Sequence, residues 1–257
     1  MTEFNKIPFG LRVEDEQFVD VANVPRGKKS GCICPSCETP LLARQGEVNV
    51  WHFAHASKGV SENTAKECEY SFWVSVVLMA KQICLEISEM ITPDYYLFNG
   101  NEKIWLAKES HIKVDSTEIE GYHNNQYYDV LLTVGDYSIL VIFVTPEKDT
   151  YIHDVSLTHD KTGLLVIDLS YASRWFHNEV KHGEYKSFLK DQIIENSEIR
   201  QWQFHPREKK VSNLDLSPFP SDDDHDEALY HCQKCSSHWY GSHFCPVCRT
   251  YLFSQAL

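Results

Sequence analysis

Two groups of soft metal ligands punctuate the 257-residue chain. In CPSCETPLLARQGEVNVWHFAH, two residues separate Cys34 from Cys37, two separate His52 from His55, and fourteen lie between the pairs. Thiolates and neutral imidazoles are the donors a tetrahedral Zn2+ ion prefers, and C-P-x-C is a span over which one tight turn can aim two sulfurs at the same point. Near the C-terminus, CQKCSSHWYGSHFCPVC contains that spacing twice, in Cys232, Cys235, Cys245 and Cys248, with nine residues between the pairs. Each set supplies four ligands and leaves no obvious opening for water, so the spacing predicts two structural Zn2+ sites and not catalytic ones. Cys32 reads as a spare, Cys68 and Cys84 as core or helix cysteines, and His231, His238 and His243 as surplus to the second set.

The rest of the composition narrows the classes. Nine cysteines, most in C-x-x-C pairs, point to metal binding rather than to a disulfide framework. No run of about 18 apolar residues occurs, and MTEFNKIPFG has neither the basic start nor the apolar stretch of a signal peptide, so a cytoplasmic protein without a membrane partner is expected. A formal charge of −13 argues against a surface that tracks nucleic acid throughout. Two local basic patches remain, Arg26, Lys28 and Lys29 in one and Arg207, Lys209 and Lys210 in the other, and both read first as solvated turns.

The elements that must position the ligands follow from periodicity. LRVEDEQFVDV predicts a hairpin with an acidic turn near Glu14–Glu16. Residues 1–58 hold too few apolar side chains for a core of their own, which gives a metal there a structural purpose. Apolar residues recur at helical spacing between about Glu62 and Met90. Three strands are expected in 103–145: KIWLAKESHIKVD, YYDVLLTV and SILVIFVT. The last is apolar at every position from Ile139 to Val144, as in a strand covered on both faces. EKDTYIHDVSLTHDK after Pro146 predicts a crossover helix into the buried strand LLVIDLS, and a helical segment is expected around 178–197. LSPFPSDDDHDEA reads as a linker. The expected organisation is therefore an N-terminal metal module (1–58), an α/β core (59–215), an acidic linker (216–228) and a zinc ribbon (229–257).

The run from Cys34 to His55 resembles the N-terminal zinc-binding segment of the competence protein CoiA-like family, and the order of elements after it agrees. That resemblance implies a restriction-endonuclease-like, PD-(D/E)xK mixed-sheet core. It also implies a link to incoming single-stranded DNA and recombination. In such a core two strand carboxylates hold Mg2+ or Mn2+, which activates water against a phosphodiester. Laid on this sequence, the family's helix positions (a glutamate, a histidine and a lysine) fall on Trp73, Val77 and Lys81, so Lys81 alone matches. On the strands Asp129 matches, with Tyr128 in the proline position, and the second acid falls on Val141 or Phe143. A register shift of one reaches Ile142, so no placement within 139–144 yields a carboxylate. Glu147 and Lys148 lie beyond Pro146 and offer a migrated site with Asp129.

The expectation is thus a catalytically inactive nuclease-like protein, acting as a binding or scaffold component for a protein or a nucleic acid. Asp129 and Lys81 are its vestiges. The alternative is an active metal-dependent DNA nuclease with a rearranged site. Tyr127, Tyr128, Trp202 and Trp239 can stack on bases, although each reads first as a core or surface aromatic.

Overall fold

The computed structural model describes residues 6–56, 70–124, 126–147, 161–180, 182–211, 229–240, 245, 247 and 254–256. The expected crossover helix, the expected linker, Cys68, Lys148 and Cys248 fall outside them or almost wholly so. The chain forms two compact units, 1–87 with 145–148 and 169–194, and 88–144 with 149–168 and 195–257.

In the first unit, β1 (Phe9–Arg12) and β2 (Gln17–Asp20) form the expected hairpin, and β3 (Cys32–Ile33) adds to β1. The acidic turn closes with Glu16 in a left-handed conformation. A second antiparallel pair joins β4 (Leu41–Arg44) to β5 (His52–His55). Helix α1 spans Phe72–Glu86, with Ser71 as N-cap accepting the Val74 N–H. It is shorter than its apolar pattern predicted, because the chain turns extended at Ile87 and leaves the helix there. The Gln82 amide fixes α1 against β2, accepting the Phe18 N–H at 2.7 Å and donating to the Phe18 carbonyl at 3.0 Å. Phe9, Phe72, Phe176 and Tyr185 make edge-on or tilted ring pairs 4.8–6.4 Å apart, which form the apolar centre of this unit.

The single helix expected around 178–197 is two, α2 (Ala172–Asn178) and α3 (Tyr185–Glu195). Gly183 separates them with φ +108°, and a Cβ there would lie 2.4 Å from that of Ala22. Only glycine fits that approach. Nearby, the buried Asp20 carboxylate accepts the N–H groups of Ala22 (2.8 Å) and Lys186 (2.9 Å) and so ties β2 to the start of α3.

The second unit begins with two small ribbons. β6 (Glu89–Thr92) pairs with β9 (Ser110–Lys113), and β7 (Tyr95–Asn99) pairs with β8 (Glu102–Ala107). KIWLAKESHIKVD therefore belongs to these ribbons, and the first strand of the large sheet is β10 (Ser116–His123), which follows it. STEIEGYH is polar on both sides because it is an exposed edge. β10, β11 (Gln126–Val134) and β12 (Tyr137–Val144) form an antiparallel meander, and β13 (Thr162–Asp168) lies parallel to β12. β14 (Arg200–Phe204) completes the five-stranded order β10-β11-β12-β13-β14. Residues 139–144 and all of β13 are buried, as a doubly covered pair of strands requires. Gly121 on β10 admits the Tyr128 ring across the strand pair, since a Cβ would sit 2.5 Å from its hydroxyl.

At the end of the chain β15 (Leu229–Cys232) lies between β16 (His238–Tyr240) and β17 (Ser254–Ala256). Among the described residues no helix is long and apolar enough to cross a membrane. The architecture is mixed α and β, with strands predominating in several separate sheets.

Candidate metal centres and the buried Asp129

The two C-x-x-C turns have the same backbone construction. The Cys34 N–H donates to the Thr39 carbonyl at 2.9 Å and the Glu38 N–H to the Cys34 carbonyl at 2.8 Å. In the second turn the Cys232 N–H donates to Ser237 at 2.9 Å and the Ser236 N–H to Cys232 at 2.8 Å. Glu38 and Ser236, each just after the second cysteine, adopt φ of 55° and 57°. A hydroxyl follows at the next position in both, Thr39 Oγ1 at 3.3 Å from Cys37 Sγ and Ser237 Oγ at 2.9 Å from Cys235 Sγ. A hydroxyl so placed donates to the sulfur once it is a thiolate, which steadies a metal ligand.

Around these turns the side chains converge. Ligand atoms of Cys34, Cys37 and His55 lie within 4.8 Å of one another, as do those of Cys232, Cys235 and Cys245. The donor sets, two thiolates with an imidazole and three thiolates, suit a soft or borderline divalent ion. Cys235 and Cys245 are unbridged, with sulfurs 3.6 Å apart. Cys32 is buried, outside the first group, and its thiol is pushed up to about 11 by desolvation, so it is a packed, protonated thiol.

His52 is not brought into the first group. Along an extended strand, side chains three apart point to opposite faces, and β5 runs from His52 to His55 without a break. The His52 ring lies 2.8 Å, through Nδ1, from the Val50 carbonyl and is held neutral chiefly by burial. That hydrogen bond leaves Nε2 as the ring's lone pair.

Asp129, Lys81 and Glu147, to which the resemblance drew attention, lie in a different setting. Asp129 is 0% exposed. Its Oδ2 accepts the Phe143 N–H at 2.9 Å and its Oδ1 accepts the Tyr127 hydroxyl at 3.1 Å. The regular pairing of β11 with β12 ends at Val130 and Val141, so this carboxylate takes over where the backbone ladder stops. Val141, Ile142 and Phe143, at the positions the resemblance gives to a second acid, are all buried and apolar. Lys81 is buried on α1, with Val77 one turn before it buried as well. Glu147 is exposed and accepts the Ser71 hydroxyl at 2.6 Å, beside the start of α1.

The aromatic residues singled out in the sequence are largely structural. Tyr128 and Trp202 are buried, the latter with its indole N–H donated to the Pro93 carbonyl at 3.1 Å. Tyr127 is engaged by Asp129, and Trp239 stacks on Tyr230 at 5.9 Å. Among the described residues, exposed rings lie at Tyr122, Tyr137 and Tyr171 and, as a cross-strand pair, on the β7–β8 ribbon, where Tyr96 and Trp105 face each other. Alternation in YYLFN and EKIWLA around the Gly100-Asn101 turn is the sequence signal that marks this ribbon.

Residues 18–62 match the family model described as competence protein CoiA, N-terminal domain. No curated protein matches the chain, and no solved structure does. The match spans Cys34, Cys37, His52 and His55, so this segment of the chain is similar to the N-terminal domain of competence protein CoiA.

Proposed function

We propose that this is a zinc-stabilised binding or scaffold protein of DNA uptake or recombination, built on a nuclease-like core that no longer cleaves. The likeness of residues 18–62 to the N-terminal domain of competence protein CoiA supports a role connected with competence. The mixed sheet, an antiparallel meander followed by a strand parallel to its third member, is the arrangement that a PD-(D/E)xK core requires. The observation that carries the reading is Asp129: both its oxygens accept hydrogen bonds inside the protein, and valine, isoleucine and phenylalanine stand where the second carboxylate belongs. One carboxylate so engaged does not form the two-acid cradle of a catalytic Mg2+.

In this proposal Zn2+ is held by Cys34, Cys37 and His55, with His52 completing the set through Nε2 after a rotation of its ring or strand. A second Zn2+ is held by Cys232, Cys235, Cys245 and Cys248. Each ion cross-links a segment with little core of its own. The modules 1–58, 59–215, 216–228 and 229–257 are then defined by their ligands and linker.

The test is incubation of the full chain with single- and double-stranded DNA in Mg2+ or Mn2+. Intact DNA is expected; cleavage that Asp129→Asn abolishes would establish the rearranged nuclease instead.

A further inference from the structure

The β7–β8 ribbon is the most conspicuous surface that this reading leaves unused. Its two faces differ sharply. Leu97 and Leu106 are buried on one side, whereas the other presents Tyr96 (36% exposed) directly across from Trp105 (43% exposed). Phe98 and Lys103 form the next cross-strand pair on the same side. The Tyr96 ring lies edge-on to Trp105 at 5.0 Å and to Phe98 at 5.7 Å. Lysine ammonium groups sit over these rings: Lys103 is 3.9 Å from the Tyr96 centroid, and Lys108 covers Trp105.

Large rings kept in water on one face of a ribbon, when the other face is buried, are not required by packing. A chain of net charge −13 places cations beside them. The short helical turn Pro206–Val211 brings more, since the Arg207 guanidinium donates to the Leu106 carbonyl of β8 at 2.8 Å and Lys210 is exposed on the same turn. Of the acids nearby, Glu102 is exposed at the ribbon's turn and three others are hydrogen-bonded. Glu208 accepts from the Tyr95 hydroxyl and the His205 N–H, Glu109 accepts from Ser197, and Asp94 accepts the Glu109 N–H.

We infer that this ribbon binds single-stranded nucleic acid, with bases stacked on Tyr96 and Trp105 and phosphates on Lys103 and Lys108. Aromatic faces bind bases only when those bases are unpaired, which favours a single strand over a duplex. The flexible lysines that cover the rings in the free protein swing to the phosphates as bases take their place, and each such contact releases counterions. The inference rests on the binding-protein reading above and names its partner.

The experiment is fluorescence anisotropy of the full zinc-loaded chain with a labelled single-stranded oligonucleotide, its duplex and a proline-rich peptide. Single-strand affinity should exceed duplex affinity about tenfold and fall steeply between about 50 and 200 mM salt. Tyr96→Ala and Trp105→Ala should each weaken it about tenfold, while Trp105→Phe retains most of it. Lys103→Ala should make the salt dependence shallower. Because both rings are exposed, all four variants should keep the parent's circular dichroism. Single-strand binding unchanged in the Tyr96→Ala/Trp105→Ala double variant, equal binding of the duplex, or binding of the peptide alone would each overturn the inference. Cleavage of the oligonucleotide in Mg2+ would overturn the inactive-core reading while leaving this surface in place; absent binding without cleavage would do the reverse.

Discussion

The carboxylate of Asp129 accepts the backbone N–H of Phe143 at 2.9 Å, just past the last regular β11–β12 pair, Val130 with Val141. A side chain thus continues the sheet's hydrogen bonding where the two backbones part. Removing it strands a buried N–H and the Tyr127 hydroxyl, so Asp129→Ala should destabilise the protein by about 2–4 kcal/mol in urea unfolding. A residue kept for catalysis would behave in the opposite way, since relieving an active-site strain commonly raises stability.

Metal content provides the second check. The purified chain should carry two Zn2+, and Cys235→Ser should reduce this to one without touching the site of Cys34, Cys37 and His55. Chelation should abolish the near-ultraviolet signal of Trp239 in the ribbon, because such a small segment takes its folding energy from the ion. Full metal content in the variant would show that Cys235 is not a ligand.

The knuckle backbones make a third. Glu38 and Ser236 hold left-handed conformations that suit glycine best. Glu38→Val and Ser236→Val should each cost about 1–2 kcal/mol, whereas the glycine variants should equal or exceed the parent in thermal unfolding. Thr39→Val, which removes the hydroxyl beside Cys37 Sγ, should lower zinc affinity about tenfold in a competition with a chelator.

A fourth concerns acid. His205, packed against Tyr95 and Trp202, is pushed down to about 4 by burial, with the Arg207 charge adding to it. In the unfolded chain the ring takes up its proton near pH 6.5, so between about 6.5 and 4 the unfolded state binds more protons. The stability this ring contributes is therefore present above that range and lost as the pH falls through it. Urea midpoints should drop over that interval, and the drop should be smaller in His205→Phe, which keeps an aromatic ring in place.

Much of this was legible in the sequence, and the remainder was hidden for physical reasons. Spacing revealed both metal groups because a C-x-x-C turn is local, but it could not show that β5 stays extended and sends His52 and His55 to opposite faces. Apolar continuity marked β12 and β13 as central. The same cue misplaced the meander's first strand, since β10 is a polar edge and the more apolar KIWLAKESHIKVD went into ribbons. The Gly183 break depends on the close approach of Ala22, 161 positions earlier, which no local pattern encodes. Aromatic type alone pointed to Tyr128 and Trp202, which are buried, whereas Tyr96 and Trp105 stand out by their exposed cross-strand pairing, which the register of the β7–β8 ribbon sets.

The account stands most directly on one titration: Mn2+ added to the zinc-loaded protein and to its Asp129→Asn variant, with free Mn2+ followed by electron paramagnetic resonance. Identical uptake by the two proteins is predicted, because Asp129 is committed to Phe143 and Tyr127. A Mn2+ site present in the parent and missing from a folded variant would contradict it.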